Sequence, residues 1–219
     1  MRSWDKYIDR IYVISASGRD QEEARILDEL EQKLIEPRVT VVRPQAAVGH
    51  IQYKGILIPA KKLSLLKGWR AILNLEVENA GLNDRHNVMI LEDDVRLLDE
   101  LVHLPAVMEQ LNINDDDSDI NMLALGAKDV FKHTNPPKEF PIPLTRFNLI
   151  RSQWTGNLCN ILTAWGVTQF DKWIPHTEEH QLKMFKKHKA LDLTWSTWPD
   201  VYRLEKPMVV HEPIGVNDE

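Results

Sequence analysis

The segment NVMILEDDV, at residues 87–95, decides how this sequence is interpreted. Residues 87–91 are mostly apolar, and a short run of this kind predicts a strand buried on both faces of a sheet. Three carboxylates, Glu92, Asp93 and Asp94, follow it directly. Because open α/β sheets bind their ligands beyond the carboxyl ends of the strands, the sequence predicts an acidic ligand site at this edge.

The acidic triplet has the chemistry of a divalent-cation site. Three adjacent negative charges repel one another unless solvent, basic side chains or a cation compensate for them. Mg²⁺ and Mn²⁺ commonly bind one or two carboxylates together with phosphate oxygens, and they neutralise charge on a departing diphosphate. Side chains 92 and 94 share one side of an extended chain. We therefore predict that Asp94 contacts Mn²⁺ or Mg²⁺, with Glu92 or Asp93 assisting.

The triplet has other interpretations. Residues 95–101 are typical of a helix, and acidic side chains stabilise a helix N-terminus, so the triplet could be a helix start without a ligand. A phosphatase of the haloacid dehalogenase type needs an aspartate nucleophile in the first position, where this chain has Glu92. A receiver domain needs a phosphorylatable aspartate after a later strand, and the proline-rich stretch around Pro141 offers none. The helix start stays open, and the other two are disfavoured.

Strand and helix patterns alternate on both sides of this segment. Residues 132–148, with four prolines, read as an irregular loop. The alternation predicts one domain over residues 1–219, an α/β fold with a mainly parallel central sheet flanked by helices. The predicted strands are residues 8–14, 38–43, 87–91, 121–125, 158–163 and 208–211, and the predicted helices are residues 21–34, a long helix from Pro59 ended by Gly81, residues 166–174 and residues 177–189.

Composition restricts the partners and the compartment. A net charge of −6 argues against broad electrostatic binding to nucleic acid or to an anionic membrane. The single cysteine, Cys159, cannot form an internal disulfide, which favours a reducing compartment. The amino-terminal residues are charged rather than apolar, and no apolar run approaches the roughly 20 residues of a membrane-spanning helix. We therefore expect a cytoplasmic protein without a transmembrane segment.

Several segments together resemble glycosyltransferase family 25, which contains the bacterial lipooligosaccharide galactosyltransferases and the collagen galactosyltransferases. They occur in the family's order and extend over residues 9–211. The segments are IDRIYVIS at 8–15, LSLLKGWRAIL at 63–73, ILEDDV at 90–95 and NMLALGA at 121–127.

The resemblance implies a GT-A-type nucleotide-sugar-binding fold and an inverting, metal-dependent sugar transfer. It makes Arg19 the arginine of the loop after the first strand, and it places Asp192 at the position of a later acidic residue facing the site, which makes Asp192 a candidate for the base that takes the acceptor proton. Asp200 is the nearest rival for that base. Leu65 stands where the family has a histidine, so the donor sugar and the acceptor are left open.

Further candidates complete the predicted site. His211, at the end of the last predicted strand, is a possible third metal ligand, since imidazole binds Mn²⁺. Arg19 and Lys128 are candidates for charge-assisted bonds to donor diphosphate oxygens, and Asp93 is a further candidate for donor binding. Ordinary surface or capping roles are the alternative for each of these residues.

Aromatic and basic side chains suggest additional contacts. Trp195 and Trp198 lie in a polar stretch and are predicted to stack a base or a sugar, whereas Trp165 is predicted to be core. The lysines of the predicted helix at residues 177–189 are most simply a solvated face. Cys159 lies in an apolar segment and is predicted to be a buried, unreactive thiol.

These observations predict a cytoplasmic glycosyltransferase that moves a sugar from a nucleoside-diphosphate donor to a hydroxyl group. The expected acceptor is a glycan. One alternative is transfer to a hydroxymethylated base in DNA, in which the lysine-bearing helix and the tryptophans would contact the DNA. Another is a non-catalytic nucleotide-sugar-binding module with the same fold.

Overall fold

A central sheet with helices on both faces organises the protein, as seen in a computed structural model. It describes residues 6–16, 18–33, 38–45, 48–79, 86–113, 120–126, 129–130, 149–150, 154–156, 158–188 and 195–212. The strands are β1 (Arg10–Ile14), β2 (Val39–Val42), β3 (His50–Tyr53), β4 (Ile56–Pro59), β5 (Val88–Glu92), β6 (Val95–Leu97), β7 (Met122–Gly126), β8 (Asp129–Val130), β9 (Leu149–Ile150), β10 (Trp154–Thr155), β11 (Cys159–Leu162), β12 (Val201–Leu204) and β13 (Val209–His211). The helices are α1 (Asp20–Lys33), α2 (Ala60–Asn79), α3 (Leu104–Gln110), α4 (Ala164–Trp173) and α5 (Glu178–His188), with a 3₁₀ helix at Asp99–His103.

The main sheet has seven strands in the order β2-β1-β5-β11-β7-β12-β9. Strand β1 is parallel to both β2 and β5, and β12 is parallel to β7. Strand β11 is antiparallel to both of its neighbours, so β7 runs in the same direction as β5. Strands β1, β2, β5, β7 and β12 therefore share one direction, and β9 runs against them. The predicted α/β fold, with a mainly parallel sheet flanked by helices, is confirmed at this level.

Strand β5 is buried on both faces, as its apolar run predicts. Met89 and Leu91 point into a core that also contains Ile26 and Leu30 of α1. Their neighbour Ile90 points into a second core on the other face, packed by α2, α4 and α5. Side chains alternate between the faces of a strand, so one strand holds the two layers together.

The helix predicted at residues 95–101 is wrong. Residues Val95–Leu97 form strand β6, and a 3₁₀ helix follows at Asp99–His103. Val95 and Leu97 are buried while Arg96 between them is exposed, a period of two that belongs to a strand. Strand β6 pairs with β13, which satisfies its backbone groups from far along the chain. The acidic triplet is therefore the last residue of β5 followed by a two-residue turn before β6, not a helix start.

The tryptophans are arranged opposite to the prediction. Trp195 is fully buried against Trp69 and Phe170 of the second core, and Trp198 packs against Phe170 and Trp173. Trp165, predicted as core, is 45% exposed. The polar residues around Trp195 were misleading, because its burial depends on side chains from α2 and α4.

Two further features bear on the predictions. Cys159 is fully buried, so its predicted burial is confirmed, and burial raises the pKa of its thiol, which favours the unreactive thiol form. No helix in the described part of the chain is long and apolar enough to cross a membrane.

Candidate functional site

A pocket lies at the carboxyl ends of β1, β2 and β5, where the direction of the connections changes. After β1 the chain crosses to β2 on one side, whereas after β5 it continues to β7 on the other side. Crevices form at such switch points in open α/β sheets and are the usual place for ligands. The cavity has a volume of about 390 Å³, within the range of small-molecule sites. Its walls include the acidic triplet, the loop after β1 and the first turns of α2.

Asp93 is engaged within the protein. Its Oδ1 accepts a hydrogen bond from Arg19 Nη1 at 2.7 Å, and its Oδ2 accepts one from the Ala16 amide at 3.0 Å. Its own amide donates to the Ile14 carbonyl at 3.2 Å. The residue is 2% exposed. Asp93 therefore ties the turn after β5 to the loop after β1, and it shapes the pocket wall.

Arg19 neutralises part of the acidic cluster. Besides its bond to Asp93, its Nη1 lies 3.3 Å from Asp94 Oδ2. Partial burial by itself would lower the pKa of Arg19, but the hydrogen bond and charge of Asp93 and the charge of Asp94 outweigh it and raise the pKa. Arg19 was predicted to meet a donor diphosphate, and its side chain does line the pocket with 32% exposure. Arg19 already forms ion pairs with two carboxylates, those of Asp93 and Asp94.

Asp94 has spare capacity for a ligand. Its Oδ2 is shared by Arg19 and by His211 Nε2, which lies 3.5 Å away. Its Oδ1 is buried and has no hydrogen-bond partner among the described residues. A carboxylate oxygen removed from water without a partner is costly, so this atom is suited to a cation that completes the site.

Strand pairing brings His211 to Asp94. Strand β13 is antiparallel to β6, with His211 opposite Val95, and the Glu212 amide donates to the Asp94 carbonyl at 3.0 Å. This ribbon of β6 and β13 crosses the end of β7 at Gly126. A Cβ atom at Gly126 would lie 2.0 Å from the Val209 carbonyl oxygen, so only glycine permits the approach.

Of the other predicted site residues, the structure describes Glu92 but not Lys128 or Asp192. Glu92 ends β5, is half-buried and lines the pocket, and its amide donates to the Leu158 carbonyl at 3.1 Å. Lys128 and Asp192 lie outside the described residues. Within those residues, no three or more His, Cys, Asp and Glu side chains form a group that could hold a metal ion. Asp94 Oδ2 and His211 Nε2 are an oxygen and a nitrogen donor 3.5 Å apart, a pair that fits a cation taking its other ligands from substrate and water.

Asp200, the rival for the catalytic base, lies at the amino ends of β7 and β12, at the opposite end of the sheet's strands from the pocket. It directly precedes β12, which is parallel to β7, and its carbonyl accepts hydrogen bonds from the amides of Asn121 and Met122 at 2.8 and 3.3 Å. These are the amino ends of both strands, whereas the pocket is at the carboxyl ends. The structure therefore places Asp200 away from this pocket.

The sequence reasoning did not identify the α2 wall of the pocket. Lys61 and Lys62, in the first turn of α2, line the same cavity as the triplet. Ser64 also lines it, and its hydroxyl donates to the Gln45 carbonyl at 2.8 Å, which fixes the loop after β2. Two adjacent lysines at a predicted helix start are a recognisable signal, but their proximity to the triplet depends on the fold.

Comparisons with known proteins add no assignment, since no model of a protein family matches the chain and a search of curated proteins finds no significant match. The class defined by the structure is an α/β protein with a pocket at the switch point of its sheet. Both signs of charge line this pocket. The chemistry of the pocket is therefore the basis for a functional proposal.

Proposed function

We propose that the protein is a metal-dependent glycosyltransferase with a GT-A-type fold, which uses a nucleoside-diphosphate sugar as donor. The observation that carries the proposal is Asp94, which lines a pocket that also has lysines. Its buried Oδ1 has no partner among the described residues, and its Oδ2 faces His211. Such a pocket suits a cation and phosphate together. The ordered resemblance to glycosyltransferase family 25 supports the sugar donor.

In this proposal, one set of residues binds the cation and another binds the phosphate oxygens of the donor. Asp94 and His211 would hold Mn²⁺ or Mg²⁺, and donor phosphate and water would supply its other ligands. When bound, the ion supplies Lewis-acid stabilisation of the departing diphosphate. Lys61 and Lys62 provide cationic hydrogen-bond donors for phosphate oxygens, and a lysine in such a position acts as a point charge.

The acceptor side of the proposal rests on the resemblance. Asp192 is proposed as the base that takes a proton from the acceptor hydroxyl while the anomeric centre is inverted. Lys128 is kept as a proposed donor contact. The proposed acceptor is a glycan, and a cytoplasmic location is proposed from the single cysteine.

Transfer to DNA receives less support than transfer to a glycan. That alternative depended on tryptophans available for stacking, and Trp195 is fully buried in the protein core. The lysines of α5 with described side chains, Lys183 and Lys186, are exposed, as a solvated helix face would be. A net charge of −6 also opposes contact with a polyanion.

A thermal-shift screen of nucleoside-diphosphate sugars, with and without Mn²⁺, tests the proposal. The correct donor with Mn²⁺ should raise the stability by about 2.7 kcal/mol at a hundredfold excess over its Kd. Asp94→Asn should abolish the Mn²⁺-dependent part. Asp99→Asn is the matched control, because Asp99 is a fully exposed carboxylate just after β6 and pairs with Lys33. An Asp94→Asn protein that keeps the Mn²⁺-dependent shift would contradict the proposal.

Donor hydrolysis then separates an enzyme from a binding module. With Mn²⁺ and the identified donor, the wild-type protein and Asp99→Asn should release nucleoside diphosphate, and Asp94→Asn should not. Binding of the donor without any turnover, with acceptor sugars present, would favour the non-catalytic module.

A further inference from the structure

Arg25 of α1 connects three parts of the chain next to the proposed cation site. Its Nη2 donates to the carbonyl oxygen of Asp93 at 3.2 Å. Its Nη1 lies 2.9 Å from Glu29 Oε1, one helical turn further on, and 2.7 Å from Glu212 Oε2. Arginine suits such a position because its planar guanidinium presents several donors in a fixed fork.

The partners of Arg25 hold the two elements that carry the metal donors. Glu29 also accepts a hydrogen bond from the Leu97 amide at 2.8 Å, which fixes β6 to α1. Glu212 follows His211 directly, and its amide donates to the Asp94 carbonyl at 3.0 Å. Arg25 thus contacts the turn before Asp94 on one side and the residue after His211 on the other.

We infer that Arg25 is a positioning residue that sets the separation of Asp94 and His211 for a divalent cation. The inference rests on the proposed function, because it concerns the same cation. Arg25 acts through the main chain of the turn and through Glu212, without touching the ion. Outer partners of metal ligands typically contribute 10–100-fold to metal affinity, since they hold the ligands in the binding geometry.

The test measures the Mn²⁺ dissociation constant from the electron paramagnetic resonance signal of free Mn²⁺. Arg25→Met should weaken Mn²⁺ binding by roughly tenfold or more. The matched control is Arg70→Met, since Arg70 is a buried arginine of α2 that binds Asp171 and the Ile174 carbonyl far from the triplet. Arg70→Met should lower the melting temperature and leave the Mn²⁺ dissociation constant of the folded protein unchanged.

Two results distinguish failure of the inference from failure of the proposed function. Unchanged Mn²⁺ affinity in Arg25→Met, with affinity lost in Asp94→Asn, would overturn the positioning role alone. Wild-type affinity in Asp94→Asn, or no Mn²⁺ binding by the wild type, would overturn the proposed function. Should Arg25→Met fail to fold, Arg25→Lys replaces it: a single ammonium cannot reach all three oxygens, so weaker Mn²⁺ binding is expected, and wild-type affinity would overturn the inference.

Discussion

Two adjacent aspartates have the same chemistry and different environments. Both oxygens of Asp93 accept hydrogen bonds from the protein, while Asp94 keeps one buried oxygen without a partner among the described residues. The difference follows from the turn between β5 and β6, which directs one side chain towards the loop after β1 and the other towards β13. One carboxylate is therefore structural, and its neighbour is available for a ligand.

We predict that Asp93→Asn lowers the free energy of unfolding more than Asp94→Asn does. The amide at Asp93 loses charge-assisted bonding to Arg19 and leaves that guanidinium less well paired, at a cost of about 1–3 kcal/mol. Asp94→Asn weakens a longer contact with Arg19, at 3.3 Å, and changes a side chain with one buried oxygen that has no partner among the described residues, so it should change the metal-free stability less. Urea denaturation of both variants without metal measures the difference. Equal stabilities would show that Asp93 is not the structural member of the pair.

The sequence identifies the acidic site residues better than the aromatic ones. Glu92, Asp93 and Asp94 are adjacent, so their mutual repulsion and their place after an apolar run can be read locally. The burial of Trp195 cannot be read in this way, because it depends on Trp69. The polar residues next to Trp195 in the sequence do not predict its packing against Trp69 of α2.

At the scale of elements, the β6–β13 ribbon builds the site. It carries Asp94 at one end and His211 opposite, and it rests on β7 where Gly126 leaves room for the Val209 carbonyl. The two donors are thus positioned by main-chain pairing and by one small residue.

We predict that Gly126→Ala lowers both stability and Mn²⁺ affinity. The added methyl group would lie 2.0 Å from the Val209 oxygen, so β13 must move, and overpacking of this kind typically costs about 1–3 kcal/mol or more. Moving β13 displaces His211 from Asp94. Calorimetric titration with Mn²⁺, together with urea denaturation, measures both effects.

Gly166→Ala is the control for that prediction. A Cβ atom there would lie 1.8 Å from the Asn121 carbonyl oxygen, a similar clash at the opposite edge of the sheet. It should lower stability and leave the Mn²⁺ affinity of the folded protein unchanged. Equal losses of Mn²⁺ affinity in the two variants would contradict the role assigned to β13.

Most elements with a strong local pattern were predicted, and those that depend on distant pairing were not. The sequence predicts a helix where β6 lies. The strand cannot be predicted locally, because its partner β13 lies more than 100 residues further along the chain. The hairpin of β3 and β4 is absent from the strands that the sequence predicts. Its turn has positive φ at both Lys54 (45°) and Gly55 (83°), and Lys-Gly is a weaker turn signal than Asn-Gly.

For the whole molecule, the two cores share one sheet. The first core packs α1 against β5, the second packs α2, α4 and α5 against the same strand, and β1 also contributes to both. The alternation of strands and helices predicted this layered arrangement. It could not predict the insertion of antiparallel β11 between β5 and β7, which is decided by long-range pairing.

We predict that the protein unfolds in one cooperative transition, because neither core can lose its sheet without exposing the other. Fluorescence of the buried Trp69 and Trp195 reports the second core, and far-ultraviolet circular dichroism reports the whole sheet. Both probes should give the same urea midpoint. Separate midpoints would show two units that unfold independently.

The crossing of β13 over Gly126 has a consequence for genetics. Because β13, the last strand of the described residues, brings the His211 imidazole to the Asp94 carboxylate, we expect substitutions in and beneath β13 to abolish the proposed sugar transfer while a folded protein still accumulates. A random-mutagenesis screen scored for lost turnover should therefore return alleles in and beneath this strand as readily as alleles in the acidic turn.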